Sequence, residues 1–365
     1  MALSYKNLND NQVRVCPWLK AASLILFMPF LLIPLGCKKS PTSPGTGQWS
    51  EVTGNAFSSG RYGLCGTVFN GSMWAIGGAA GNADGSVTYY YSDVYSSGNG
   101  SHWNKVNASA PFGGRFGSQL LAYNGQLWLI GGNNNGTLMN DVWSSSDGVS
   151  WTQVLAPNIS GTATQFTPRE DFCALVYNGS MWVIAGFSTG QSNNDVWTSN
   201  NGSTWTEVLA DGSSNANHFG VRWGLSGVVY NNLMWIFNGA SSTSANSDPT
   251  FAYADVWNSS TGNSWNLISN NQLSRVYYGQ AITDNNQLFL TDGYLWNYWG
   301  PQDAVHISSD GINWNSYLAS WPIRFGELSL SYNNSAWIIG GCDNVCTSMP
   351  CPTTVTYYND VWRTP

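Results

Sequence analysis

The sequence predicts an all-β fold: a six-bladed β-propeller of four-stranded antiparallel blades, the last blade closed by the N-terminal strand. Three observations predict it. One strand-rich unit recurs six times, at roughly 50-residue intervals. No helical periodicity occurs after residue 36. The sixth copy lacks a final strand, and a matching strand stands ahead of the first copy.

Each copy reads in the same order. An apolar run leads to a turn pair: Asn70-Gly71, Asn124-Gly125, Asn178-Gly179, Asn231-Asn232, Asn285-Asn286 and Asn333-Asn334. Such pairs predict two-residue hairpins, because a type I′ turn needs φ > 0 twice. The second strand is apolar around a Trp or Phe and ends on Gly, at 73–78, 127–132, 181–186, 234–239, 288–293 and 336–341. After a variable loop the third strand opens Asp-Val-aromatic at Asp93, Asp141, Asp195, Asp255 and Asp360; Asp303-Ala304-Val305 is the odd copy. A Gly-x-x-Trp hairpin follows in five copies, at 100–103, 148–151, 202–205, 262–265 and 311–314. Trp49-Ser50-Glu51-Val52 matches Trp151-Thr152-Gln153-Val154, so the N-terminal strand is expected to complete blade six and leave no frayed edge.

The order of apolar strand, Gly-Gly, loop, Asp-Val-aromatic and Trp resembles the kelch repeat over residues 48–365. The resemblance implies a fold and little about function, since propellers host many unrelated activities. The Ser-x-Asp-Gly-x-x-Trp hairpins at 145–151 and 308–314 also resemble the Asp-box of sialidase-type propellers. They lack one residue between Asp and Gly, and are read as turns.

Charged residues are 9% of the chain, against about 25% in soluble proteins. Lys+Arg number 13 and Asp+Glu 20, a net charge of −7, which excludes the basic face that nucleic-acid binding needs. Lys6, Arg14 and Lys20 flank the start of an apolar run at 21–35, interrupted by Pro29 and Pro34 and shorter than the ~20 residues of a spanning helix. Residues 1–36 therefore read as an export signal. Leu35-Gly36-Cys37 resembles a bacterial lipoprotein signal, which implies lipidation of Cys37; Lys38 in place of Asp implies the outer membrane. An ordinary signal peptide cut nearby, or an uncleaved anchor, is the alternative. Residues 37–47 form a Ser/Pro/Gly tether and 48–365 the propeller. The expected address is the bacterial cell envelope, with the lipid as sole membrane contact. Removing Lys6, Asp10, Arg14 and Lys20 with the leader leaves 10 basic and 19 acidic residues, a charge of −9.

An Arg opens every copy: Arg61, Arg115, Arg169, Arg222, Arg275 and Arg324. In five copies it lies 13 residues before the second-strand Trp. Strand spacing of ~4.8 Å separates first and third strands by ~10 Å, so each Arg can cross the side-chain-free Gly pair and meet its own blade's Asp. The functional alternative is a guanidinium ring that binds a carboxylate, sulfate or phosphate. Most copies read Arg-aromatic-Gly; blade three reads Arg169-Glu170-Asp171, blade five Arg275-Val276-Tyr277-Tyr278, and blade six adds Glu327. Glu170, Asp171 and Glu327 are candidates for acid/base work on a sugar, or for neutralising Arg charge. The aromatic-rich segment with Tyr294, Trp296, Tyr298 and Trp299 is the leading candidate for stacking a ligand.

Cys342, Cys346 and Cys351 share one loop and are disulfide candidates, with the pairing open. Three thiols without a nearby His make a poor zinc site, and Cys65 and Cys173 read as buried thiols of inner strands. No phosphate loop, dinucleotide fingerprint or Ser-His-Asp spacing occurs, so no cofactor or metal is expected. The sequence thus points to a monomeric binding module for a glycan or other surface polymer. An enzyme acting on an acidic sugar, a sialidase-like hydrolase or sugar-acid epimerase, and a protein-interaction scaffold for an envelope protein are the alternatives.

Overall fold

The repeats form six antiparallel blade sheets, with three smaller sheets of two or three strands beside them, in a computed structural model that describes residues 49–82, 87–212, 217–242, 251–291, 293–295, 300–343 and 355–365. Five sheets have four strands; the blade-three sheet carries one more, Arg169–Glu170. Blade one runs outward through Cys65–Phe69, Ser72–Ile76, Val94–Ser97 and Asn104–Asn107. The first strand of every blade packs on those of both neighbours, and Leu328–Tyr332 of blade six packs on Cys65–Phe69, so the ring closes. No helix occurs among the described residues.

The local chemistry dictates these sheets. At the turn pairs both residues take φ between 45° and 72°, the conformation that Asn and Gly tolerate. In the outer hairpin of blade two, the Ser145 hydroxyl accepts from Gly148 N at 2.8 Å, and Asp147 Oδ1 accepts from Val149 and Ser150 N. Trp151 Nε1 donates back to Gly148 O at 3.0 Å. These are turn contacts, as expected. Gly148 also lies flat on Trp74 of blade one, where a Cβ would come within 2.1 Å of the indole. Gly100, Gly202, Gly262 and Gly311 meet the preceding blade's Trp in the same way, which locks blade to blade.

Blade six closes as expected. Ser50–Thr53 pairs antiparallel with Val361–Arg363, Glu51 standing opposite Trp362. The Trp49 ring meets Trp321 edge-on at 4.4 Å in the adjoining apolar cluster. Cys65 and Cys173 open the first strands of blades one and three; burial pushes both thiols up to about 12.

Candidate functional site

Five of the six opening arginines are internal struts. Arg61, Arg115, Arg169, Arg222 and Arg324 are at most 1% exposed. Their Nη1 atoms lie 2.5–2.8 Å from Asp93, Asp141, Asp195, Asp255 and Asp360, each in the same blade. Each Nη1 also donates to a carbonyl 16 residues on: Gly77, Gly131, Ala185, Asn238 and Gly340. Those carbonyls are turned inward because their residues take φ between 54° and 68°, which Ala185 and Asn238 also adopt. The next residue, at φ 90–108°, is glycine each time, since a Cβ is not tolerated there. The Asp-Val-Trp motif is explained too: Trp143, Trp197, Trp257 and Trp362 donate their indole N–H to the strut Asp two residues earlier. Blade one has Tyr95 instead, and Lys105 Nζ approaches Asp93 Oδ2 at 3.3 Å.

Blade five breaks the matched set of six. Thr291 pairs with Val305 as Phe237 pairs with Val256 in blade four, so Ala304 holds the position of Asp255. Val276 holds the position of Arg222: the carbonyls of both receive the N–H of a neighbouring Gly, Gly239 and Gly186. The strut is replaced by an apolar pair, and Arg275 and Asp303 each sit one residue early. A one-residue shift turns a side chain to the opposite face. Val276 is fully buried and Arg275 is exposed. The signal was present in the sequence: Arg275 precedes Phe289 by 14 residues, not 13.

On the axis the blades are joined by a closed ring of backbone hydrogen bonds. Gly117 N donates to Gly63 O, Asp171 N to Gly117 O, Gly224 N to Asp171 O, Tyr278 N to Gly224 O, Gly326 N to Tyr278 O and Gly63 N to Gly326 O, at 2.8–3.5 Å. All six ring residues take φ between 54° and 63°. Four are Gly, for which that conformation carries no steric cost; Asp171 and Tyr278 hold it with side chains present. The Tyr278 hydroxyl donates to Asp171 Oδ2 at 2.8 Å. A cavity of about 50 Å³ lies on this axis, lined by all six blades and including Ser118, Gln119, Asp171, Tyr278, Gln280 and Glu327. That space suits a few waters or one small polar group.

The residue before each ring position forms a collar: Tyr62, Phe116, Glu170, Trp223, Tyr277 and Phe325. Five are aromatic and pack among one another, Tyr62 with Phe116 at 5.7 Å and Trp223 with Tyr277 at 5.1 Å. Glu170 takes the sixth place and is 8% exposed. The nearby Asn133 side chain favours its charged form, while its buried Oε2 has no hydrogen-bond partner among the described residues. Burial first, then the neighbouring Asp171, pushes Glu170 up to about 8. Burial pushes Asp171 up to about 7, against the lowering effect of the Tyr278 hydrogen bond. Two adjacent carboxyls in an aromatic surround thus hold a proton near neutral pH.

The remaining candidates are placed as follows. Glu327 is buried, and its Oε1 accepts from Thr291 Oγ1 at 2.6 Å. The Tyr294 ring is buried against Tyr277 and Phe325 rather than presented to solvent. Trp296, Tyr298, Trp299, Cys37, Cys346 and Cys351 lie outside the described residues; Cys342 is fully buried. Among the described residues no group of His, Cys, Asp and Glu is arranged to hold a metal ion.

Repeat order, closed ring and Arg-Asp struts define a kelch-like β-propeller. The chain is similar to the kelch repeat protein M-T8 of Myxoma virus (strain Lausanne), 22% identical over 245 residues, which cover 62% of this chain and 42% of that protein. It is also similar to the leucine-zipper-like transcriptional regulator 1 homolog of Drosophila melanogaster, 31% identical over 133 residues, 34% of this chain and 12% of that protein. The chain therefore spans less than half the length of either relative. The solved structure of YjhT superposes with a TM-score of 0.62 at 16% identity, over 85% of this chain and 96% of that one. No protein-family profile matches the sequence.

Proposed function

We propose that this chain is an exported binding module that recognises a glycan or similar surface polymer at the axial mouth of the propeller. The kelch-like fold supports a binding or scaffold role in general. The observation that carries the finer reading is Glu170. It stands where five blades place an aromatic ring, and its buried Oε2 has no partner among the described residues. An unsatisfied buried oxygen costs about 1–3 kcal/mol, and a ligand hydroxyl reaching into the mouth supplies the missing bond. Asp171, Tyr278 and the cavity behind them favour a small polar group entering end-on.

Glycan-array binding by the full chain tests this. Glu170→Phe, which restores an aromatic to every collar position, is expected to keep the fold and abolish binding. A wild-type chain that retains no glycan but captures an envelope protein overturns the reading in favour of a scaffold. The raised carboxyls also favour a second reading, proton transfer on a bound sugar. Turnover that disappears in Glu170→Gln and Glu327→Gln, with folding intact, would establish it. We place the module in the cell envelope, anchored through lipidated Cys37. Mass spectrometry of the N-terminal peptide from membrane fractions tests that address.

A further inference from the structure

We infer that Arg275 is an anchor for the carboxylate or sulfate of an acidic glycan; this rests on the glycan-binding reading above and names the ligand's class. Blade five has no structural use for an arginine. Its strut position holds Val276 and the opposing position Ala304, so the buried ion pair is lost from both sides at once. Such a joint replacement leaves no uncompensated charge in the blade. An arginine nevertheless stands one residue earlier, on the opposite face and exposed. Among the described residues it makes no ion pair and no side-chain hydrogen bond.

The neighbouring blade holds this guanidinium in place. Its Cζ lies 4.7 Å from the Phe251 ring centroid, on the ribbon that pairs Ala240–Ser241 with Phe251–Ala252. Tyr253 meets Phe251 edge-on at 5.0 Å, and the Tyr253 ring covers Arg222 at 4.1 Å. Arg222 is itself tied to both Asp255 oxygens, at 2.7 and 2.9 Å. The stack Arg222, Tyr253, Phe251, Arg275 therefore runs from a buried strut to an exposed cation. Stacking occupies one face of the guanidinium and leaves its planar edge of N–H donors open, the geometry that grips a carboxylate or sulfate. Part of the entropy of ordering the side chain is already lost before a ligand arrives.

Solubility does not account for this residue, because a domain with 8 basic and 19 acidic residues is kept apart by its negative charge. The acid pair at the mouth is compatible with an anion. Glu170 and Asp171 are both displaced toward the protonated form and do not present two full negative charges at neutral pH.

The test compares one backbone polymer in three forms, dextran, carboxymethyl-dextran and dextran sulfate, retained by the full-length protein at pH 6.5. A charged form is expected to be held at least about tenfold more tightly than dextran, with the preference weakening as salt is added. Comparison of the two charged forms separates carboxylate from sulfate. Arg275→Gln is expected to remove the preference and leave thermal unfolding unchanged, and Arg275→Lys to restore only part of it. Equal retention of all three polymers, or a preference that survives in Arg275→Gln, overturns the assignment and leaves glycan binding standing. If neither these polymers nor any array glycan is retained, the glycan reading falls, and the assignment with it.

Discussion

Tyr278 and Asp171 meet across the propeller axis, the hydroxyl donating to Oδ2 at 2.8 Å, and join blade five to blade three. Both are the non-glycine members of a ring whose other four residues are Gly. Tyr278→Phe keeps the ring and removes the bond, leaving a carboxyl oxygen without its donor. Chemical denaturation is expected to show a loss of about 1–3 kcal/mol. An unchanged midpoint would show that the pair contributes nothing to holding the axis.

The acid pair sets the sign of a pH effect. Both carboxyls are raised in the folded state, so the native protein binds more protons than the unfolded chain. Their contribution is fully present below the unfolded carboxyl range, about pH 4, and is lost as pH rises through about 7 and 8. Melting temperature measured from pH 5 to 9 is expected to fall less steeply in Glu170→Gln than in the wild type. Parallel curves for the two proteins would mean that Glu170 is ionised throughout.

The struts can be tested against blade five. Arg115→Val alone strands Asp141 among buried groups and is expected to cost about 3–5 kcal/mol. Adding Asp141→Ala reproduces the Val276 and Ala304 arrangement and is expected to recover much of that loss. The Trp143 indole, then without its acceptor, limits the recovery. A double mutant as unstable as the sum of its parts would show that the shift in blade five needs other changes to be tolerated.

The two residues of a Gly pair are expected to differ in what they accept. Gly340 has φ 66°, in the range that Ala185 occupies in blade three, whereas Gly341 has φ 96°. A Cβ at either would meet a backbone oxygen at 3.0 Å, so crowding is similar and conformation decides. Gly340→Ala is expected to cost about 1–2 kcal/mol and Gly341→Ala distinctly more, read as denaturation midpoints. Equal losses would assign the recurrence of the second Gly in every blade to packing.

The repeat, the strand order, the Asn turns and the closing strand at Trp49 were legible in the sequence, because each follows from nearest-neighbour chemistry: φ > 0 at turns, alternation along strands, and a missing strand with one matching segment. The Arg-Asp pairing was legible for the same reason in five blades. What the tertiary structure alone decided were contacts between residues far apart in the chain. Asp171 and Tyr278 are 107 residues apart and share a hydrogen bond only because ring closure brings blades three and five to one axis. The exposure of Arg275 likewise depends on pairing register, which sets the face a residue occupies and which a count of one extra residue before Phe289 encodes without displaying.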